Sequence, residues 1–162
     1  MNEDDRSNFL RHLTALSPKE EKVTAILLTC MDFRYPQAIV DYMRDEGLAG
    51  DYDHVILAGA SLGAVLDSGE HIKLHWQRTF FDHVDIAIYL HAITTVYILD
   101  HRDCGAYRVF RGLPRPVPED VEREAHEREM RKLKGEIESR YANVSVRCGL
   151  LEELKEEKFT VN

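Results

Sequence analysis

Five residues in two short segments hold most of the chemistry this chain could perform. Cys30-Met31-Asp32-Phe33-Arg34 and His101-Arg102-Asp103-Cys104-Gly105 together offer two thiols, an imidazole, and a carboxylate two positions before a guanidinium. Two thiolates and an imidazole are a standard zinc set. Three protein ligands leave the fourth tetrahedral position for water, the arrangement of catalytic rather than structural zinc. The residue types therefore nominate Cys30, His101 and Cys104 as ligands of one Zn²⁺ per chain.

Residues so far apart in sequence must be brought together by the elements that carry them. Val23–Thr29 is a continuous apolar run rich in β-formers and closes on Cys30. Thr94–Leu99 is a similar run that ends at Asp100-His101. Continuous rather than alternating apolar residues indicate strands buried on both faces of a parallel sheet. In open parallel sheets, ligand sites form beyond the carboxyl ends of the strands, and both segments stand at such ends.

Between them, His54–Leu57 reads as another strand, followed by the small-residue turn Ala58-Gly59-Ala60-Ser61-Leu62-Gly63. Helices are expected over Pro36–Glu46, with proline near the start and Gly47 past the end, and over His71–His91. In the second, Ile72, Trp76, Phe80, Val84, Ala87, Ile88 and His91 form a stripe at helical spacing. A turn or short helix follows Cys104-Gly105, then the proline-rich loop Pro114–Pro118. Glu119–Tyr141 reads as a charged helix with a thin apolar edge at Val121, Ala125, Met130, Leu133 and Ile137. Val144–Val146 is a late strand, and Phe159–Val161 a weak one. Phe9, Leu10, Leu13 and Leu16 give residues 1–21 the spacing of a short amphipathic helix.

Strands alternating with helices define an α/β domain with a mainly parallel central sheet flanked by helices. A chain of 162 residues without a linker or repeat is read as one domain. Its parts are a helical arm (1–21), a metal-binding α/β core (22–110), and a charged helix with a late strand (111–162). The net charge of −8 argues against nucleic acid as a partner. The longest apolar runs are too short to cross a bilayer. Met1 is followed by Asn-Glu-Asp-Asp-Arg rather than a basic and apolar leader. With three cysteines, an odd number, the expectation is reduced thiols in a cytoplasm.

Cys-x-Asp-x-Arg followed by His-x-x-Cys-Gly resembles the β-class carbonic anhydrases. The likeness extends from Val23–Arg34 through Val55–Ala60 to Thr95–Gly105, with Val144–Gly149 similar to the family's late strand. The resemblance implies that Cys30, His101 and Cys104 bind zinc and that Asp32 and Arg34 form the catalytic dyad beside it. It implies a zinc lyase (carbonate dehydratase) that hydrates CO₂ reversibly to bicarbonate by a zinc-bound hydroxide. Asp32 would accept the hydrogen of that hydroxide, and Arg34 would keep Asp32 ionised and aimed. It also implies a homodimer or higher even oligomer, with the N-terminal helix embracing the partner.

Several residues depart from the family pattern. Met31 and Phe33 are bulkier than usual, Asp100 stands before His101 where glycine is common, and Leu57–Gly63 differs in its turn residues. Carbonyl sulfide or carbon disulfide hydrolysis on the same zinc is therefore an alternative. So is a non-catalytic zinc or redox-responsive binding protein, its metal closed by Asp32, Cys148 or another histidine. Cys148 is expected to be an ordinary buried cysteine, and Asp103 a turn residue. His71, His75, His83 and His91 are expected in helix-surface or capping roles. Phe33, Tyr35 and Tyr107 are pocket candidates that also fit plain packing. The charged helix is expected to be a solvated face, with its thin apolar edge available to a second subunit.

Overall fold

The computed structural model describes residues 8, 9, 11–13, 22–66, 75–151 and 158–160. Four parallel strands form the centre: β1 (Ala25–Cys30), β2 (Tyr52–Leu57), β3 (Thr95–His101) and β4 (Ser145–Leu151), with β5 (Lys158–Thr160) antiparallel at one edge. The spatial order is β2-β1-β3-β4-β5, so β1 and β3 are the inner pair of the four parallel strands, in register from Ala25 opposite Thr95 to Thr29 opposite Leu99. Helices α1 (Pro36–Asp45), α2 (Ser61–Val65), α3 (Trp76–His91), α4 (Gly105–Arg111) and α5 (Glu119–Arg140) complete the described elements. This is the α/β architecture that the alternation of elements predicts.

Every residue of β1 is buried, as are the last six of β3. Because side chains alternate across a strand, the two strands feed two cores. Ile26, Leu28, Val96 and Ile98 pack with Phe80, Val84, Leu133 and Ile137 on one face. Ala25, Leu27, Tyr97 and Leu99 pack with Ile39 and Met43 on the other. Each large apolar side chain so buried contributes about 1.5–3 kcal/mol relative to exposure. The same alternation sends Asp100 and His101 to opposite faces at the end of β3.

Most boundaries fall within two residues of expectation, and the differences are informative. The turn after β2 continues into the short, fully buried helix α2. Helix α3 begins at Trp76, and the expected positions 71–74 lie outside the described residues. Of the N-terminal arm, residues 8, 9 and 11–13 are helical with Leu13 buried; its other positions also lie outside them. The largest correction concerns α5. It is not simply a solvated charged face: Glu122, His126 and Glu129 are buried, whereas Val121, read as part of its apolar edge, is exposed. Positions 122, 126 and 129 recur at helical spacing, and that row of polar side chains faces the end of β3, the loop after it and the end of α4.

Candidate metal centre

Cys30 is the last residue of β1, His101 the last of β3, and Cys104 the residue just before α4. The inner pairing of β1 and β3 brings their carboxyl ends together. The short loop Arg102–Asp103, with Asp103 at φ 52°, turns the chain back so that Cys104 faces Cys30. The ligand atoms of Cys30, His101 and Cys104 all lie within 4.8 Å of one another, and all three residues are buried.

The donor set fits a tetrahedral zinc. The two sulfurs are 3.9 Å apart; sulfurs each about 2.3 Å from one tetrahedral zinc stand about 3.8 Å apart. His101 Nε2 is buried and has no hydrogen-bond partner among the described residues. Its other nitrogen, Nδ1, lies 2.8 Å from the Arg102 carbonyl and donates to it, which leaves Nε2 with a lone pair for a cation. This is how proteins orient an imidazole that binds a metal. Tyr35 holds the ring from one side, centroid to centroid 4.3 Å. An unpartnered buried nitrogen facing two sulfurs is otherwise costly.

The thiols are prepared unequally. The Cys30 thiol is held well below the ordinary cysteine range, first by the hydrogen bond from Cys104, and further by His101 and by the Gly59 N–H, 3.3 Å from Sγ. Burial opposes these effects. Cys104, as the donor to that thiolate and itself buried, is pushed well above the ordinary cysteine range. For His101, burial disfavours the charged form, but the Cys30 thiolate, the Arg102 carbonyl and Asp32 outweigh it and raise its pKa.

Asp32 and Arg34 form the expected pair in full. Arg34 Nε donates to Asp32 Oδ1 at 2.9 Å, Nη2 to Oδ2 at 2.7 Å, and the Arg34 backbone N–H to Oδ1 at 3.0 Å. These bonds, the guanidinium ones first, hold the Asp32 carboxyl at about 2. Asp32 Oδ2 stands 3.9 Å from His101 Nε2, so the carboxylate borders the three donors.

Around this core the structure adds residues that the motifs leave out. Asp103, expected as a turn residue, accepts from Arg34 Nη1 through Oδ2 and from Nη2 through its carbonyl, and pairs also with Arg108. Glu122 of α5 accepts from the Asp103 backbone N–H and from Arg102 Nε, pinning the loop from above. Glu129 anchors Arg111 at the end of α4. The only sequence signal for these anchors is the helical spacing of Glu122, His126 and Glu129. Gly59 approaches Cys30 at φ 78°, and a Cβ there would meet Ala106 Cβ at 2.9 Å. Glycine permits both the turn and the contact.

Other candidates separate cleanly. Cys148 is buried in β4 and is not among the three residues whose ligand atoms converge. His83 Nδ1 bonds back to the Thr79 carbonyl, His91 pairs with Asp53 at 2.7 Å, and His75 stands at the N-terminal boundary of α3 with no capping hydrogen bond from its side chain, while position 71 lies outside the described residues. Phe33 is 88% exposed at the rim of a cavity of about 500 Å³ that opens onto Cys30, Asp32 and Cys104, with Ala58, Trp76 and Phe110 on its walls. Tyr107 does not line it but turns into the core.

A four-stranded parallel sheet with two cysteines and a histidine converging at its carboxyl ends defines an α/β protein with a candidate three-residue metal site. By its sequence the chain belongs to the family described as "Putative carbonic anhydrase", whose model matches residues 19–157. Among curated proteins it is 33% identical over 135 residues to an uncharacterized protein of Rickettsia bellii, covering 83% of this chain and 77% of that one. A second uncharacterized protein, from Rickettsia conorii, is 30% identical over 135 residues, covering 83% and 68%. Among solved structures, a carbonic anhydrase from Streptococcus mutans shares the fold with a TM-score of 0.52 at 18% identity, over 96% of each chain. No helix among the described residues is long and apolar enough to cross a membrane.

Proposed function

We propose that this protein is a zinc lyase that catalyses the reversible hydration of CO₂ to bicarbonate. The observation that carries the proposal is the placement of Asp32. Its carboxylate borders the Cys30, His101 and Cys104 donors, yet is gripped by three hydrogen bonds from Arg34. That leaves a fixed acceptor beside the metal position.

Zinc held by Cys30, His101 and Cys104 would supply Lewis acidity that lowers the pKa of water from 15.7 to about 7. The residues of this chain do the rest. Asp32, ionised across the physiological range, accepts the hydrogen of the nucleophile and so aims its lone pair at the carbon. Arg34 keeps that carboxylate charged and fixed in direction. Ala58, Trp76 and Phe110 give a linear, apolar substrate an apolar wall. Arg102 holds the His101 ring through its carbonyl, and Glu122 holds Arg102. The family match and the shared fold of a bacterial carbonic anhydrase support the reading.

Stopped-flow CO₂ hydration with the zinc-loaded protein tests it. A rate well above buffer, inhibited by small anions, is the expected result; no rate above buffer at full zinc occupancy overturns it. Because the cavity of about 500 Å³ is apolar and larger than CO₂ requires, hydrolysis of carbonyl sulfide or carbon disulfide is the second reading, scored by sulfide release from the same preparation. We further propose a homodimer or higher even oligomer, for which the exposed Met31, Phe33 and Val109 supply apolar surface. The three unpaired cysteines suit the cytoplasm.

A further inference from the structure

Asp100 lies at the centre of a buried polar cluster that the reaction described above does not use. It occupies β3 immediately before His101 and points to the opposite face of the sheet, where it is 1% exposed. Ser61 donates to it twice, from its backbone N–H to Oδ1 at 3.0 Å and from Oγ to Oδ2 at 2.6 Å. The Tyr107 hydroxyl donates to Oδ2 at 2.8 Å. His126 of α5 places Nδ1 2.8 Å from the same oxygen and stacks on Tyr107 with ring centroids 3.8 Å apart. Ser61 and His126 are wholly buried, and Tyr107 nearly so. Three buried polar side chains converging on one carboxylate form a network that holds its members in a single geometry.

The turn that Asp100 grips is an unusual one. Gly59 at φ 78° is followed by Ala60 at φ 43°, ψ −105°, a conformation that L residues rarely adopt. Ser61, next in the chain, is the residue bonded twice to Asp100. The outcome of that turn is the Gly59 N–H aimed at Cys30 Sγ, 3.3 Å away. Asp100 is thus linked to one side of the candidate metal centre through Ser61 and Gly59, and to the other by its covalent bond to His101.

We propose that Asp100, clamped by His126, is a positioning residue for the metal centre: it fixes the Gly59–Ser61 turn so that the Gly59 N–H orients the Cys30 thiolate. The inference rests on the reading of Cys30 as a metal ligand. It also accounts for an aspartate at the position before His101. Hydrogen bonds to a ligating atom govern the affinity and electronic character of a metal site without touching substrate.

The test uses Co²⁺ added to the metal-free full chain, because the thiolate-to-cobalt charge-transfer band reports the cysteine–metal bonds directly. The wild-type protein is expected to bind one Co²⁺ per chain with such a band. Asp100→Asn, Ser61→Ala and His126→Leu are expected to shift the band and weaken Co²⁺ binding about tenfold. His126→Asn, which retains an N–H for Asp100, restores much of both. Folded variants with lower melting temperatures but unchanged band and affinity would make the cluster merely structural and overturn the proposal. Should Asp100→Asn fail to fold, Ser61→Ala, which deletes a single hydroxyl, decides by the same two readings. A wild-type protein that binds no Co²⁺ overturns the metal reading itself, an outcome distinct from unchanged variants.

Discussion

Arg34 donates to Asp103 through both terminal nitrogens, Nη1 to the carboxylate Oδ2 and Nη2 to the backbone carbonyl, each at 3.0 Å. The same guanidinium grips Asp32. One cation therefore ties the loop after β1 to the loop after β3, and the direction of Asp32 depends on a residue that stands next to Cys104. Asp103 reaches this position because its backbone adopts φ 52°, a region that aspartate tolerates better than most residues.

Removing that tie should affect catalysis more than metal content. Asp103→Ala is expected to keep zinc at one per chain while lowering the CO₂ hydration rate by about tenfold, as the loss of an outer-shell partner commonly does. Zinc analysis beside stopped-flow rates checks it. Unchanged rates would show that Arg34 holds Asp32 unaided.

The metal ligands and the dyad should respond differently. Cys30→Ser is expected to lose stoichiometric zinc, since two thiolates and one imidazole are the whole donor set that converges among the described residues. Asp32→Ala should retain zinc and lose about a hundredfold or more of the rate, the scale of a positioned proton acceptor. Loss of zinc from Asp32→Ala would instead mark the carboxylate as a ligand.

Glu122 is the anchor whose loss should be felt in stability. It is 3% exposed and accepts from Arg102 and from the Asp103 backbone. Glu122→Ala removes the acceptor of Arg102 Nε and of the Asp103 N–H, while Arg102 Nη1 keeps its pair with Glu119, and is expected to cost about 1–3 kcal/mol, read as a lower midpoint in urea with an unchanged slope. A midpoint shift near zero would show that the loop is held by Arg34 alone.

Gly59→Ala tests the turn itself. A Cβ would meet Ala106 Cβ at 2.9 Å on a backbone at φ 78°, so a loss of about 1–3 kcal/mol is expected from strain alone. Thermal or urea unfolding measures it. A neutral substitution would mean that α4 yields easily at Ala106.

Alkaline pH should weaken the fold through Cys148. Burial pushes its thiol from the ordinary 9.0 to about 12, with Asp100 adding to the effect. A pKa raised on folding means that the native state holds the proton longer. Its contribution is complete below about pH 9 and is lost as pH rises from 9 towards 12, at up to about 1.4 kcal/mol per pH unit. Cys148→Ala should flatten this decline in urea titrations between pH 8 and 11. Parallel declines in the two proteins would contradict it.

What could be read from the chain was what is local. Cys30 and His101 end apolar runs whose length and β-branched content define buried parallel strands, and strand ends are where such sheets place ligands. Asp32 and Arg34 lie two residues apart, so their pairing needs only a tight loop. The helix 119–140 could be located from its period, but not its buried face. Glu122, His126 and Glu129 repeat at the spacing of any solvated charged stripe. Only where α5 packs decides that they meet Arg102, Asp100 and Arg111 rather than water. The same holds for Asp100: in sequence it is the residue before a ligand, and its orientation follows from strand alternation. Its partners Ser61, Tyr107 and His126 come from α2, α4 and α5, brought together by the tertiary fold. The donor set of the candidate metal centre was thus encoded in short motifs, whereas its support is made of long-range contacts, which carry no local signature.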